Sequence, residues 1–195
     1  MAKKNSRNTR GRIISAAWKL FYEQGYENTT VEDIVFESET SRGSFYHYFQ
    51  GKDALVGTLA YVFDEKYEEL TDKLTDDMTA VEKLCFTNHE LYVMIENGVS
   101  MELLSHLLSS QLHGRGEKHL LDHKRTYFKV LRRIVQEGQE KGELRRDMSV
   151  SEIVKAFAMW ERAQLYDWCL NNGEYSLVLS ADKMTPLYLR AFTAE

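Results

Sequence analysis

Proline occurs once in 195 residues, at Pro186. Almost nothing in such a chain forces a helix to stop, so long helical runs are permitted throughout. Cysteine is nearly as scarce. Cys85 and Cys169 lie far apart without metal-ligand spacing, which excludes a disulfide framework and reads as two small buried apolar residues in a reducing compartment. No apolar run reaches the length of a membrane span, and none near the start has the character of a secretory signal. These gaps lead to the expectation of a cytoplasmic protein without a membrane partner. Strand-like alternation and internal repeats are missing too.

What is present is an ordinary globular balance, 43% hydrophobic and 28% charged, which argues against disorder. The net charge of −5 conceals an asymmetry. Residues 1–52 carry eight basic and six acidic side chains, whereas residues 53–195 carry 17 and 24. Lys3, Lys4, Arg7, Arg10 and Arg12 precede the first acid. A basic arm before an acidic body either directs a polyanion to one end of the molecule or is simply a solvated terminus.

Helical periodicity organises the chain. Ile13, Ile14, Ala17, Leu20 and Phe21 recur at three- and four-residue intervals up to Gly25, one face of an amphipathic helix with a glycine stop. Thr29 or Thr30 can cap a short second helix from Val31 that fades by Glu39, and Ser41 a third from Arg42 to about Phe49. A fourth is expected from Lys52 to about Thr75. Further helices are expected from Asp77 or Thr79 to Asn97, from Ser100 to about Leu112, and, after an HGRG loop at 113–116, from Glu117 to Lys141. One from Ser149 or Ser151 to Asn172 and a last one bearing Pro186 complete the set. The fold class is all-α with about nine helices. Two short helices behind a longer supporting one describe a helix-turn-helix.

The third helix holds five consecutive rings, Phe45, Tyr46, His47, Tyr48 and Phe49. Phe45 and Phe49, four apart, share a face that anchors the helix, while Arg42, Ser44, Tyr46 and His47 fall on faces free to project outward. From Val150 to Cys169, thirteen of twenty residues are apolar, too many for a single contact. Ile153, Phe157, Trp160 and Gln164 form one row; Val154, Ala158, Leu165 and Cys169 form another. If one row faces the core, the other needs a partner, most simply the same helix of a second subunit. A fully buried central helix is the alternative.

The stretches AAWKLFYEQGYENTTVEDI and TSRGSFYHYFQGKDAL, within Ile13 to Leu55, resemble the DNA-binding domain of the tetracycline-repressor (TetR) family. EKGELRRDMS and NNGEYSL are similar to the family's C-terminal half. The resemblance implies a homodimeric, all-helical transcription regulator, usually a repressor that binds a palindromic double-stranded DNA operator and is released by a small-molecule effector. It implies a helix-turn-helix domain over residues 1–52 and an effector-binding and dimerisation domain over 53–195. Carried over by position, Thr30 would bind a phosphate, Arg42, Gly43, Ser44 and His47 would face the major groove, and Tyr46 and Lys52, with Tyr48 beside them or packing, would meet the backbone. The chemistry agrees: Arg grips a guanine edge bidentately, and Lys, Tyr and Thr suit phosphate oxygens. The turn departs from the family pattern, with Glu39 and Thr40 where glycine and a small apolar residue are usual. A left-handed Glu39 costs about 1–2 kcal/mol, and with Glu32 and Glu37 it brings negative charge to the expected phosphate surface.

Tyr92, Met94, Met101, Leu104, His106, Leu108, Tyr127, Trp160, Gln164 and Trp168 are large or polarizable residues suited to an effector pocket for an apolar or aromatic molecule; they serve equally as a core. His119 and His123 are four apart but lack a third ligand, so no metal is expected. Ser, His and Asp occur outside any nucleophile motif, so neither an enzyme nor a cofactor is expected. An effector-independent architectural DNA-binder, and an interaction protein that has lost DNA binding, stand as alternatives.

Overall fold

The computed structural model describes residues 2–113 and 118–194, with side chains from residue 9 onward except that of His113. In chain order the helices are α1 Ala2–Gln24, α2 Val31–Glu37, α3 Arg42–Tyr48, α4 Asp53–Val56, α5 Leu59–Thr71, α6 Ala80–Gly98, α7 Met101–His113, α8 Thr126–Glu140, α9 Val150–Leu170 and α10 Leu177–Leu189. Single 3-10 turns sit at His119–Leu121 and Arg190–Phe192. No strand occurs among the described residues, and no described helix is long and apolar enough to cross a membrane. The side chains of Lys3, Lys4 and Arg7 of the basic arm, and residues 114–116 of the expected loop, lie outside what is described.

The chain forms two compact units. The first takes in Met1–Ala60 and Glu102–His119; the second takes in Tyr61–Met101 and Leu120–Glu195. In the first, Ile13, Ala17 and Phe21 of α1 lie in one core with Ile34, Phe45, Phe49 and Leu55, each no more than 5% exposed. The sequence stripe on α1 is thus the packing stripe. Gly25 closes α1 at φ +84°, a left-handed conformation that glycine adopts without the clash a Cβ would bring.

Capping follows the sequence closely. Thr30, Thr79 and Ser149 each accept the backbone N–H of the residue three further on, and Asp33, Glu82 and Glu152 return the bond. Each reciprocal pair satisfies helix N-terminal donors that would otherwise lack partners.

Two breaks differ from the expected boundaries. The fourth helix is interrupted between α4 and α5, where the Thr58 hydroxyl donates to the Leu55 carbonyl at 2.5 Å and accepts the Trp18 indole N–H at 2.9 Å. At Gly57 a Cβ would approach His119 Cδ2 to 2.7 Å. The helix expected from Glu117 starts instead at Thr126, as α8, nine residues later. Asp64 holds the buried Arg125 guanidinium at 3.0 and 3.1 Å and accepts the Tyr127 amide at 3.0 Å, which fixes Arg125 in extended backbone. Separating α4 from α5 brings the described α-helices to ten. Pro186 starts no new helix: it lies inside α10.

Candidate nucleic-acid interface

The helix-turn-helix is α2, its turn, and α3. Ser41 caps α3 by accepting the Ser44 amide at 3.0 Å. Phe45 and Phe49 point inward, with ring centroids 5.9 Å apart. Arg42, Gly43, Tyr46 and His47 are exposed, and Ser44 and Tyr48 half-buried. The Arg42 guanidinium lies 5.7 Å over the Tyr46 ring and pairs with Glu32 of α2 at 3.0 Å. Arg42, Gly43, Tyr46 and His47 are therefore the exposed residues of α3, with an acid already engaging the arginine.

The turn holds Glu39 at φ +49°, the left-handed conformation where a non-glycine residue pays about 1–2 kcal/mol. Arg12 compensates. Its guanidinium donates to the carbonyls of Ser38 at 2.5 Å and Glu39 at 2.8 Å, and pairs with the Glu39 carboxylate at 3.3 Å. The last carbonyls of a helix lack intrahelical partners, so this α1 arginine satisfies the end of α2. The sequence placed Arg12 in a basic arm, either directing a polyanion or simply solvated, and this tether was missed; the expected strain at Glu39 was the available signal. Arg10 lies over the Phe49 ring at 5.5 Å. Thr30 is engaged by its capping box, its hydroxyl donating to Asp33 at 2.6 Å. Lys52 donates to the Tyr26 carbonyl at 2.8 Å and sits 4.2 Å over the Tyr26 ring, so its ammonium ties α4 to the α1–α2 loop.

Comparison with known proteins decides the family. Residues 13–59 match the family described as bacterial regulatory proteins, tetR family, and residues 63–191 match the YsiA-like protein, C-terminal region. The chain belongs to the tetR family of bacterial regulatory proteins. It is a DNA-binding transcription regulator. It is 22% identical over 179 residues to the fatty acid metabolism regulator protein of Bacillus subtilis, covering 90% of this chain and 91% of that one. It is 43% identical over 77 residues to the regulator HbdR of Aromatoleum sp., a match spanning 39% of this chain and only 34% of HbdR. Among solved structures, Thermus thermophilus FadR in complex with lauroyl-CoA shares the fold with a TM-score of 0.72 at 22% identity, covering 92% of each chain.

In this tetR-family chain the residues expected to line a pocket are divided between the two units. Leu104, His106 and Leu108 belong to the same unit as the helix-turn-helix; Leu104 and Leu108 are buried there, and His106 pairs with Glu27 at 3.0 Å. Tyr92, Met101, Tyr127, Trp160, Gln164 and Trp168 belong to the second unit. Tyr92 and Tyr127 converge on Glu161, Trp160 and Gln164 both reach the Thr185 hydroxyl, and Trp168 donates to the Tyr175 carbonyl at 2.8 Å.

Glu161 is the residue the sequence reading passed over. Its buried carboxylate accepts hydrogen bonds from Tyr127 at 2.5 Å, Asn88 at 2.9 Å and Tyr67 at 3.4 Å, and its carbonyl accepts the Tyr92 hydroxyl at 2.9 Å. Burial pushes its pKa above the usual 4.5, against the pull of those three donors. The same burial drives the hydroxyl pKa values of Tyr67, Tyr92 and Tyr127 well upward. Spacing carried a signal: Glu161 sits four residues from both Phe157 and Leu165, on an inward row.

The expected dimer row needs correction. Val154, Ala158 and Leu165 are 2, 1 and 7% exposed within the protomer, and Cys169 is half-buried. Ile153 and Phe157 of the other row are buried as well, because α8 and α10 pack on α9 and Asn88 and Tyr92 of α6 bond to Glu161. The apolar residues left exposed are Met159, Tyr166 and Leu170 on α9 and Leu179, Met184 and Leu187 on α10. Cys85 is half-buried too, its thiol pKa pushed up to about 11 by burial.

Proposed function

We propose that this regulator is a homodimeric repressor that reads an approximately palindromic operator through α3 and is released by a long-chain acyl-CoA thioester. The observation that carries the effector class is the likeness over nine-tenths of the chain to the Bacillus subtilis fatty acid metabolism regulator. Solved FadR structures bearing lauroyl-CoA and stearoyl-CoA, each covering more than nine-tenths of this chain, support it. An apolar acyl chain also agrees with the apolar effector expected from the sequence.

In this reading Arg42 grips a guanine edge while Gly43, Ser44 and His47 approach neighbouring bases. Tyr46 and Tyr48 meet the backbone, with Thr30 and Lys52 at the margins. The exposed apolar residues of α9 and α10 pair across the two-fold axis. The second unit houses the effector, and the chain passes from one unit to the other within α5.

Selection of bound sequences from a random DNA pool, followed by titration of the winning site with lauroyl-CoA, stearoyl-CoA, free CoA and free fatty acid, tests the reading. A two-fold-symmetric site released by the thioesters alone is the expected result. A symmetric site indifferent to all four compounds leaves a dimeric reader with another effector or none. Uniform weak binding overturns sequence-specific reading.

A further inference from the structure

We propose that Glu27, Glu102 and His106 form a binding site for a divalent transition-metal cation of the zinc class. The site stands apart from the effector reading and lies wholly within the first unit. Glu102 and His106 are one turn apart on α7 and so share a face; Glu27 comes from the α1–α2 loop. One ligand atom from each lies within 4.8 Å of the others.

The geometry around the three is built. The two Glu102 oxygens accept the backbone amides of Tyr26 at 3.3 Å and Glu27 at 3.1 Å. A carboxylate has about four acceptor positions, so these bonds orient it and leave lone pairs for a cation. The His106 ring packs against Tyr26, tilted by 42° with centroids 4.2 Å apart, and its Nε2 is aimed at Glu27 Oε1, 3.0 Å away. Outer contacts of this kind fix a ligand's orientation before the metal arrives.

Charge and space point the same way. Glu27, Glu102 and Asp53 bring three carboxylates; among the described residues lining the cleft the cation is Lys52, already donating to the Tyr26 carbonyl. Two negative charges remain, which a dication neutralises. Beside them is a cleft of about 530 Å³ lined by Glu27, Lys52, Asp53, His106, Ser109 and Ser110, with room for the waters that complete a coordination shell. One imidazole with two carboxylates is a borderline donor set: it favours zinc, nickel or manganese over calcium or magnesium, which take oxygen alone. Metal-ligand bonds of about 2.0–2.2 Å require the ligand atoms to draw together, and the exposed Glu27 side chain is free to swing. The ion would replace the His106–Glu27 contact and pin the loop that leads into α2 against α7.

Calorimetric titration of the tag-free, chelator-stripped full chain with zinc chloride decides this. One ion per chain, an affinity lowered at least tenfold in Glu27→Gln and in His106→Gln, and no change in His89→Gln are the expected results. Unfolding midpoints measured in chelator separate lost ligation from lost folding, and the exposed Glu27 is the variant least able to disturb the fold. A tenfold excess of magnesium leaves the zinc isotherm unmoved. Absence of a stoichiometric heat, or Glu27→Gln and His106→Gln titrating as the parent does, overturns the proposal.

Discussion

The buried carboxylate of Glu161 accepts the hydroxyl of the buried Tyr127 at 2.5 Å, and Asn88 donates to its other oxygen at 2.9 Å. Glu161 thereby joins α6, α8 and α9 through one side chain. A buried carboxylate persists only where hydrogen bonds replace its hydration.

The burial has a pH consequence. Glu161 titrates above its ordinary 4.5 in the folded protein, so between 4.5 and that raised value the native state holds more protons than the unfolded chain. Stability then falls as pH rises across that window. In Glu161→Gln this contribution disappears while size is kept. Thermal unfolding from pH 4 to 8 should show the parent-minus-variant difference drifting against the parent as pH increases, then levelling. A difference independent of pH rules the effect out.

Glu39→Gly relieves the left-handed strain at φ +49° and keeps both Arg12 contacts to backbone carbonyls. The strain of about 1–2 kcal/mol is offset by glycine's extra chain entropy of about 0.5–1 kcal/mol. The net expectation is a gain of up to about 1.5 kcal/mol, read by urea unfolding. Loss of one negative charge beside the reading face should also tighten DNA binding, most clearly at low salt.

Arg42→Ala should cost about 1–3 kcal/mol of binding, concentrated at one base position. Glu32→Gln removes the acid that engages Arg42 at 3.0 Å, and should strengthen binding without altering the preferred site. Competition titrations against single-base variants of the selected operator measure both. A uniform loss across all variants for Arg42→Ala would place that residue on phosphate.

Charge on the exposed apolar face separates association from folding. Leu170→Glu and Leu179→Glu, at side chains 73 and 72% exposed, should give folded monomers by sedimentation. Val154→Asp puts an unpaired charge into the core and should unfold the protomer instead. A dimer unaffected by both surface changes would move the interface elsewhere.

Much of this was legible in the sequence because its cause is local. The α1 stripe, the capping boxes at Thr30, Thr79 and Ser149 and the glycine stop at Gly25 all follow from residues within four positions of each other, where periodicity and backbone sterics act. So does the alternation on α3, which sets Phe45 and Phe49 inward and leaves Arg42, Tyr46 and His47 outward. Only the tertiary structure decided that Arg12 would serve α2, that α9 would bury Ile153 and Phe157 as well as Val154, Ala158 and Leu165, that Glu161 would gather Asn88, Tyr67 and Tyr127, and that Glu27 would meet Glu102 and His106. Each of those joins groups 26 to 94 residues apart. Their energies depend on burial and partner geometry created when helices pack, and no local pattern encodes which distant partner completes them.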